Sequence, residues 1–363
     1  MKIAFFGQRQ YLDYYRIGGF ESYIRRLAQG LAQSAHEVHY ILYDASQEKV
    51  IVAAPGLKLS YCRTFDQALA RLFKGNYHHV FRVRLAREDY LKYLWAVRRN
   101  GYGTRWHHCY LAWPESFIKR ALVNLEARLA SPGGVVICVS PRQYRAISKY
   151  TGHTGLIWPP VPEDYFLTPE KKGRNEPINV TFLGNLTRDK YIAEVVTLFE
   201  KFHTDPRFHF AIYGTHDRFN PQSVEMHHRL LRQNAITYVH IDMEDYSPDI
   251  DTLVKNVLWK TDVFLQPYRT LQNTLDTPLL LLEAMAALCA VITTPRGNVP
   301  DIYGKSRFLL TGQDFQKEAE HLLRSLTWED ILAERTRIIH RSQEIQFQQK
   351  QVLEKLLAVL KND

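Results

Sequence analysis

The chain has 363 residues and a mass of 42.5 kDa, enough for two domains of ordinary size. Hydrophobic residues make up 45% and charged residues 23%, a balance that excludes a disordered protein, a collagen-like repeat and a disulfide-stapled miniprotein. The longest apolar stretch, 279–292, is shorter than the roughly 20 residues that a transmembrane helix needs. The start shows no export signal, and the four cysteines have no zinc-like spacing, so we expect free thiols in a reducing cytoplasm.

The net charge of +9 is unevenly divided along the chain. Residues 1–160 carry 23 Lys and Arg against 10 Asp and Glu, a net charge of +13, whereas the remaining residues have a net charge of −4. This asymmetry favours an anionic partner for the first half, such as phospholipid head groups, a phosphorylated acceptor or nucleic acid. An ordinary solvated surface is an equal alternative.

The first half of the chain has the rhythm of a parallel α/β domain. The apolar run 3–6 predicts a buried strand, and residues 20–33 place apolar side chains at helical spacing. Residues 38–42 predict the next strand. A strand, a helix and a strand within about 40 residues form the βαβ unit of a doubly wound sheet.

The second half repeats this rhythm after a proline-rich segment. Residues 159–177 contain several prolines and a charged, apolar-poor stretch, which predict an interdomain linker without regular structure. Short apolar runs that predict strands then alternate with helical patterns, at 178–183, 208–213, 236–241, 263–265 and 290–293. Two strand–helix domains of similar size are therefore expected, with ligands at the edges where the strands end.

Two segments of the first half carry candidate binding chemistry. Gly18 and Gly19 directly precede a helix, where paired glycines let a ligand approach the backbone and the free amides suit phosphate or sugar oxygens. His107 and His108 follow at the end of a short predicted strand, and a histidine can exchange a proton with a sugar hydroxyl. The alternative for the two glycines is an ordinary loop without a ligand, and the alternative for the two histidines is a role in packing.

Two segments of the second half suggest a site for a diphosphate. The segment 184–190 (GNLTRDK) leaves a predicted strand, and a cation in such a place can clamp a diphosphate. The helix 278–286 is almost wholly apolar and contains one carboxylate, Glu283, whose burial is costly without partners. Hydrogen bonds from ribose hydroxyls would satisfy Glu283, and the alternative is an ion pair with a basic residue of its own domain. For the segment 184–190, the alternative is an ordinary solvated turn.

Other nucleotide-binding patterns are missing from the sequence. FGQRQY follows the first predicted strand where a GxGxxG fingerprint would stand, which argues against a nicotinamide or flavin dinucleotide. The sequence also has no P-loop, HExxH or GxSxG pattern.

In this order and spacing, the segments resemble the family 4 glycosyltransferases with the GT-B fold. The resemblance covers most of residues 1–310. It rests on GGFESYIRRLAQGLAQSAHEV, VVICVSPRQYRAI with LIWPPVPEDYF, INVTFLGNLTRDK and DTPLLLLEAMAALCAVITTPRGNVPDI. It implies an α/β fold of two Rossmann-like doubly wound domains that face each other across a cleft. These are expected at 1–162, which binds the acceptor, and 163–340, which binds the nucleotide sugar, with a C-terminal helix at 341–363 that crosses back to the first domain.

The family transfers a sugar from a nucleotide diphosphate sugar, of UDP or GDP type, to a glycan or lipid-linked acceptor. The resemblance implies that the anomeric configuration is retained and that the reaction needs no metal or other cofactor. Lys190 would contact the diphosphate, the Leu279 and Leu280 amides its oxygens, and Glu283 the ribose. The implied catalytic residues are His108 (with His107 as second choice), Asp276 and Glu283, and the implied donor-binding residues are Gly18, Gly19, Asn185, Arg188, Lys190, Gly214, Leu279, Leu280 and Glu283.

Two positions depart from the family's pattern and leave a second function open. Asn185 stands where the family usually has Arg, and Arg188 is the nearby cation that could replace it. Leu275 stands eight residues before Glu283, where the family has Glu, with Asp276 adjacent. The alternative function is a catalytically weak or silent domain that binds a nucleotide or glycan as a scaffold or partner subunit.

The segment 81–99 interleaves basic and aromatic residues. It predicts peripheral contact of a cytoplasmic protein with the anionic inner face of a membrane, with Leu91, Tyr93, Leu94 and Trp95 entering the interface. Packing of these side chains against the sheet is the alternative. Nucleic-acid binding would explain the charge but not the helix around Glu283, and it is not expected.

Overall fold

The computed structural model describes residues 1–16, 18–100, 103–114, 116–129, 133–174, 176–242, 250–270 and 274–361. The chain divides into two compact units. Unit 1 comprises Met1–Pro160, Gln272–Thr277 and Phe347–Asp363, and unit 2 comprises Val161–Leu271 and Pro278–Gln346. None of the described helices is long and apolar enough to cross a membrane.

The elements of the described residues alternate between strand and helix. The strands are β1 (Lys2–Gln8), β2 (Glu37–Tyr43), β3 (Lys49–Ala54), β4 (Leu57–Tyr61), β5 (His79–Arg82), β6 (Arg105–Tyr110), β7 (Val136–Cys138), β8 (Thr154–Leu156), β9 (Ile178–Asn185), β10 (Phe208–Thr215), β11 (Thr237–His240), β12 (Val263–Gln266) and β13 (Ala290–Thr293). The helices are α1 (Arg9–Leu12), α2 (Gly19–Gln33), α3 (Phe65–Lys74), α4 (Arg87–Asn100), α5 (Phe117–Leu129), α6 (Pro141–Ile147), α7 (Pro169–Lys172), α8 (Ile192–Phe202), α9 (Pro221–Arg232), α10 (Ile250–Lys260), α11 (Leu279–Ala286), α12 (Val299–Tyr303), α13 (Phe315–Ser325), α14 (Trp328–Ile345) and α15 (Gln349–Lys361). Two short 3-10 helices lie at Glu163–Tyr165 and Arg188–Lys190.

Within the described residues, the sheet of unit 1 has eight strands in the order β3-β4-β2-β1-β5-β6-β7-β8. All neighbours pair in parallel except β3 and β4, which pair antiparallel. The apolar run 3–6 is completely buried in β1, because a parallel strand is covered by helices on both faces. The predicted doubly wound sheet of the first half is confirmed.

The last helix, α15, packs on α2 within unit 1. The side-chain amide of Gln349 donates to the carbonyl of Arg26 over 3.0 Å. Gly30 makes this contact close, because a Cβ at this position would lie 2.2 Å from Leu353 Cδ1. A residue without a side chain in the middle of α2 therefore serves helix packing, despite its cost to the helix itself.

The described part of unit 2 has a five-stranded parallel sheet in the order β11-β10-β9-β12-β13. The chain starts at the central strand β9, adds β10 and β11 on one side, and then adds β12 and β13 on the other. A buried ion pair ties α14 to this sheet: Arg335 Nη2 lies 2.7 Å from Asp262 Oδ1. The same carboxylate accepts the backbone N–H of Asn179 at the start of β9.

The proline-rich segment 159–177 is not the structureless linker that the sequence predicts. It contains the 3-10 helix Glu163–Tyr165 and helix α7, and the division between the units falls at Pro160. Lys172 at the end of α7 is buried and donates to the carbonyls of Leu258 and Trp259 over 2.7 and 3.1 Å. The prolines stiffen the segment, and Lys172 anchors its helix α7 to unit 2.

Candidate functional site

The central strand of unit 2 ends where the order of the strands reverses. β9 closes with Gly184 and Asn185, and Gly184 lies level with Gly214 of β10. In open α/β sheets, ligands bind outside the carboxyl ends of the strands at such a reversal. Gly184 has a φ of +148°, a conformation that side chains rarely adopt, so glycine is required at this turn.

Lys190 lies at the end of the short helix that follows this strand. Tyr191, the next residue, has a left-handed φ of +52°, which fixes the direction in which the chain leaves Lys190. Lys190 Nζ stands 3.7 Å from the centroid of the Tyr268 ring. Among the described residues, no carboxylate reaches it at ion-pair distance. Burial lowers the pKa of Lys190 to about 7, and the nearby charge of Asp189 only partly opposes this shift.

Tyr268 links two of the predicted site residues, and the sequence analysis missed it. It follows β12, and its backbone is held by Thr294, whose hydroxyl accepts the Tyr268 N–H over 2.8 Å and donates to its carbonyl over 2.6 Å. Burial, and in second place the charge of Glu283, raise the pKa of the Tyr268 hydroxyl well above its usual value. Tyr268 therefore lies under Lys190 and within the field of Glu283.

Helix α11 carries the embedded carboxylate. Glu283 is only 3% exposed, and every residue of α11 except Leu280 is buried. The amides of Leu279 and Leu280 belong to the first turn of this helix, where backbone donors have no partner within the helix. A helix start of this kind offers hydrogen bonds and a positive dipole end to an anion.

The remaining predicted residues of unit 2 surround the same strand ends. Asn185 is exposed, and its Oδ1 accepts a hydrogen bond of 2.5 Å from Thr215 Oγ1 on β10. Arg188 is exposed as well. Gly214 leaves no room for a side chain, because a Cβ there would lie 2.7 Å from Leu186 Cδ2. Gln266, at the end of β12, is 3% exposed, and its Oε1 has no hydrogen-bond partner in the described part of the chain.

The paired glycines of unit 1 stand at the start of α2. A Cβ on Gly18 would lie 2.2 Å from Glu21 Oε2, and a Cβ on Gly19 would lie 3.4 Å from Leu275 Cδ1. Glu21 is buried, and this burial raises its pKa to about 7 even though the charges of Arg16 and Arg25 lower it. The glycines thus make room for a buried carboxyl and for the returning segment that contains Leu275.

Asp276 anchors that returning segment to unit 1. Its carboxylate accepts hydrogen bonds from the Ser140 hydroxyl and from Arg142, whose Nε lies 2.8 Å from both oxygens. Its N–H donates to the Leu111 carbonyl, and the Thr277 hydroxyl donates to the Val139 carbonyl. The observed partners of Asp276 are protein groups at the carboxyl edge of the unit 1 sheet, and its expected contact with a sugar hydroxyl stays a prediction.

His107 and His108 lie inside β6 and not at its end. His107 lies 2.9 Å from His79 and accepts the N–H of Val135, and burial lowers its pKa to about 3. His108 Nε2 lies 2.5 Å from Arg82 Nη2 and therefore accepts, which puts its proton on Nδ1. That Nδ1 is buried and has no partner among the described residues.

The structure thus brings the predicted residues together in two groups. At the strand ends of unit 2 lie Asn185, Arg188, Lys190, Gly214, Leu279, Leu280 and Glu283. In unit 1, Gly19 meets the segment of Asp276 and Gly18 lies against Glu21, whereas His108 faces Arg82 inside the fold. No cluster of acidic or imidazole ligands for a metal includes these residues in the described part of the chain.

Residues 177–327, which form most of unit 2, match the family model of the glycosyl transferases group 1. No curated protein matches the sequence.

Solved structures resemble the chain over its whole length. A sucrose-phosphate synthase from Thermosynechococcus elongatus is 17% identical with a TM-score of 0.69, covering 100% of this chain and 98% of the other. Anabaena HepE in complex with UDP-glucose is 15% identical with a TM-score of 0.72 and full coverage of both chains. The lipopolysaccharide outer core galactosyltransferase WaaB is 14% identical with a TM-score of 0.62, covering 100% of this chain and 99% of the other. The predicted GT-B fold is confirmed, and the family match supports a glycosyltransferase of this fold.

Proposed function

We propose that the protein transfers a sugar from a nucleotide diphosphate sugar to a glycan or lipid-linked acceptor. The observation that carries this proposal is Lys190, a partly buried cation without a carboxylate partner in the described residues. It lies at the strand reversal of unit 2, in one group with Tyr268 and Glu283. A lone amine held in a low dielectric gains a large stabilisation when an anion arrives.

The donor would bind along the strand ends of unit 2. Lys190 and the first amides of α11 would take the diphosphate, and Glu283 would accept hydrogen bonds from the ribose hydroxyls. The similar HepE structure holds UDP-glucose, which supports a donor of the UDP type. A GDP donor is the alternative that the sequence leaves open.

The reaction would proceed by departure of the diphosphate. Lys190 and the amides of α11 would stabilise the negative charge that develops on the leaving group, while the sugar passes through an oxocarbenium-like state. Retention of configuration and independence of metals follow from the resemblance to the family 4 enzymes. Asp276 would act by holding the segment next to Gly19, and His108 by exchanging a proton near the sugar.

A silent binding domain is the second candidate function, and Leu275 favours it. Leu275 is 1% exposed and packs over Gly19, so an apolar side chain fills the position where the family has a carboxylate. The neighbouring Asp276 is engaged by Ser140 and Arg142.

A ligand panel followed by an activity assay separates the two functions. Thermal unfolding would be recorded with UDP, GDP, ADP and their sugars, because a ligand that binds only the folded state raises the melting temperature. We expect a rise with one nucleotide class and slow release of free sugar from the matching donor. Binding without release or transfer would favour the silent domain, and no response to any diphosphate would contradict both.

We also propose that unit 1 contacts an anionic membrane surface through α4 and α5. Leu91 and Trp95 are 74% and 63% exposed on α4, and Ile118 and Leu122 are 72% and 60% exposed on α5. Both helices meet at Arg82, which pairs with Glu126 of α5 and lies under the Tyr90 ring of α4. Exposed apolar side chains surrounded by cations suit the boundary between head groups and acyl chains.

Only part of the predicted membrane segment is available for this contact. Tyr93 and Leu94 are 1% and 8% exposed and belong to the core beneath the helix, as the packing alternative had it. Lys92, Arg98 and Arg99 are exposed on the same helix as Leu91 and Trp95.

Vesicle sedimentation tests the membrane proposal. We expect binding to vesicles with anionic lipid at low salt and about a tenfold loss for the double variant Leu91→Asp, Trp95→Asp. Val52→Asp is the matched control, because Val52 is equally exposed, at 74%, on β3 of the same unit. Equal binding by both variants, or none by the wild type, would contradict the proposal.

A further inference from the structure

Three histidines from different elements of unit 2 converge at one point. His216 follows β10, His227 lies in α9, and His240 ends β11. One nitrogen of each lies within 4.8 Å of the others. All three side chains are partly exposed, so an ion can enter from solvent.

The spacing of these nitrogens fits a small divalent ion. His216 Nδ1 and His240 Nε2 are 2.9 Å apart, and the rings of His216 and His227 stack with their centroids 4.3 Å apart. Two zinc ligands with bonds of about 2.0–2.1 Å at tetrahedral angles are separated by about 3.3 Å. The 2.9 Å separation is slightly shorter than this value, and all three nitrogens already lie within 4.8 Å of one another, so side-chain rotations can bring them to this spacing.

The imidazole of His227 is oriented by a second residue. Its Nδ1 lies 2.7 Å from the Tyr238 hydroxyl. Burial raises the pKa of Tyr238 to about 12, so the phenol stays neutral. When His227 Nδ1–H donates to this oxygen, the lone pair lies on Nε2. Metal-binding histidines are commonly fixed by such a contact of the other ring nitrogen.

The charges beside the cluster belong to one ion pair. Arg218 and Asp242 face the cluster and pair with each other at 3.6 Å, so their charges largely offset one another. Neutral imidazole is the form that binds metals, and late first-row ions prefer it.

We propose that His216, His227 and His240 form a binding site for a late first-row divalent metal ion such as Zn²⁺, with solvent as the fourth ligand. The site is independent of the glycosyl transfer proposed above, which requires no metal. It lies at the carboxyl end of β10 and β11, two residues after Gly214 and on the edge of the sheet where the donor is expected.

Zinc and cobalt titrations of the untagged full chain test this site. After treatment with a chelator, the wild type is expected to bind one Zn²⁺ per chain by calorimetry. With Co²⁺ it should show the visible absorption of a low-coordinate nitrogen site. His227→Ala and His240→Ala should each weaken binding by at least tenfold. His321→Ala, an exposed histidine of the same unit, is the matched control and should bind like the wild type.

A second variant separates loss of binding from loss of folding. His227→Gln keeps a polar side chain of similar size near Tyr238 but is a poor ligand for Zn²⁺. We expect its melting temperature without metal to match that of the wild type and to remain unchanged on addition of Zn²⁺, which should raise that of the wild type. No stoichiometric binding by the wild type, or unchanged binding by His227→Ala and His240→Ala, would overturn the proposal.

Discussion

The carboxyl edges of the two sheets differ in how their charged groups are partnered. In unit 1, Asp276 is held by Ser140 and Arg142, and Arg82 pairs with Glu126. In unit 2, the Lys190 amine has an aromatic ring beneath it and no carboxylate at ion-pair distance among the described residues. We call a sheet edge saturated when its charged groups pair within the protein, as in unit 1, and unsaturated when one of them lacks such a pair, as Lys190 does among the described residues of unit 2. A saturated edge stabilises the fold, whereas an unsaturated edge suits a ligand that supplies the missing charge.

The difference also shows that the net charge of each half does not indicate which charged groups lack a partner. The first half has a net charge of +13, but Arg82 and Arg142 are engaged in internal pairs. The half with a net charge of −4 contains Lys190, a partly buried amine with no carboxylate at ion-pair distance among the described residues. Partnering and burial decide where an anion binds, and total charge mainly affects the approach from a distance.

Removing the carboxylate of Asp276 should destabilise unit 1, because it takes away the acceptor that holds the returning segment at the sheet edge. In Asp276→Ala, Arg142 and the Ser140 hydroxyl both lose the carboxylate that accepts their hydrogen bonds, so we expect unit 1 to lose about 3–5 kcal/mol of unfolding free energy. Hydrogen exchange in urea, which resolves the two units, measures this loss. Glu344→Ala is the control, because that exposed ion pair with Arg341 should be worth at most about 1 kcal/mol. Equal losses in both variants would show that Asp276 is no anchor.

Glu21→Gln should show how much unfolding free energy unit 1 loses when the buried carboxyl of Glu21 ionises at higher pH. The folded-state pKa of Glu21 is raised from 4.5 to about 7, so the stability that its protonated form supplies is complete below about pH 4.5 and is lost as the pH rises to about 7. A neutral Gln avoids this loss. We expect the variant to match the wild type at pH 4.5 and to exceed it by up to about 3 kcal/mol at pH 8. A pH-independent difference in unfolding free energy would contradict this assignment.

Lys190→Ala removes from the unit 2 edge the amine that has no carboxylate partner among the described residues. Loss of a charged hydrogen-bond donor costs about 1.5–3 kcal/mol, so nucleotide binding should weaken by about 10- to 100-fold without loss of folding. Calorimetry with the nucleotide selected in the thermal panel measures the effect. Lys201→Ala removes a cation of the same unit that pairs with Glu320 and should change the affinity less than twofold. Similar affinities in the two variants would mean that the site is misplaced.

Glu283→Gln should sharpen the assignment of the ribose contact. We expect about a tenfold loss of affinity for the ribonucleotide, because a neutral amide accepts hydrogen bonds less strongly than a carboxylate. The wild type should discriminate against the 2′-deoxy and 3′-deoxy nucleotides, and the variant should lose most of that discrimination. Undiminished discrimination in the variant would exclude Glu283 as the ribose partner.

Local patterns predicted the fold well, and they also suggested candidate residues at the unit 2 edge. The apolar runs at 3–6 and 178–183 form the central strands β1 and β9, because buried parallel strands have continuous apolar sequences. Lys190 and Glu283 could be proposed as candidates because a strand end and a single carboxylate in an apolar helix are visible in the sequence itself. Tyr268 had no such signal, since an aromatic residue after a strand is ordinary.

Contacts between distant segments could not be predicted from the sequence. Asp276 joins unit 1 across 134 residues of chain to Arg142, and no local pattern encodes such a pairing. His216, His227 and His240 come from a loop, a helix and the end of a strand, so their convergence depends on the order of β10 and β11 in the sheet. His108 was predicted at the end of its strand but lies inside β6, because that strand is longer than its local pattern suggested.

The protons taken up on nucleotide binding test the role of Lys190 most directly. The amine has a pKa of about 7, so it is mostly neutral at pH 8, and a bound diphosphate should restore its charge. Calorimetry of UDP binding, or of the nucleotide that the panel selects, in buffers of different ionisation enthalpy should therefore show uptake of nearly one proton by the wild type at pH 8. Lys190→Arg, whose guanidinium is always charged, should take up none. Equal proton uptake by both proteins, or none by the wild type, would contradict the assignment of Lys190 as the diphosphate anchor.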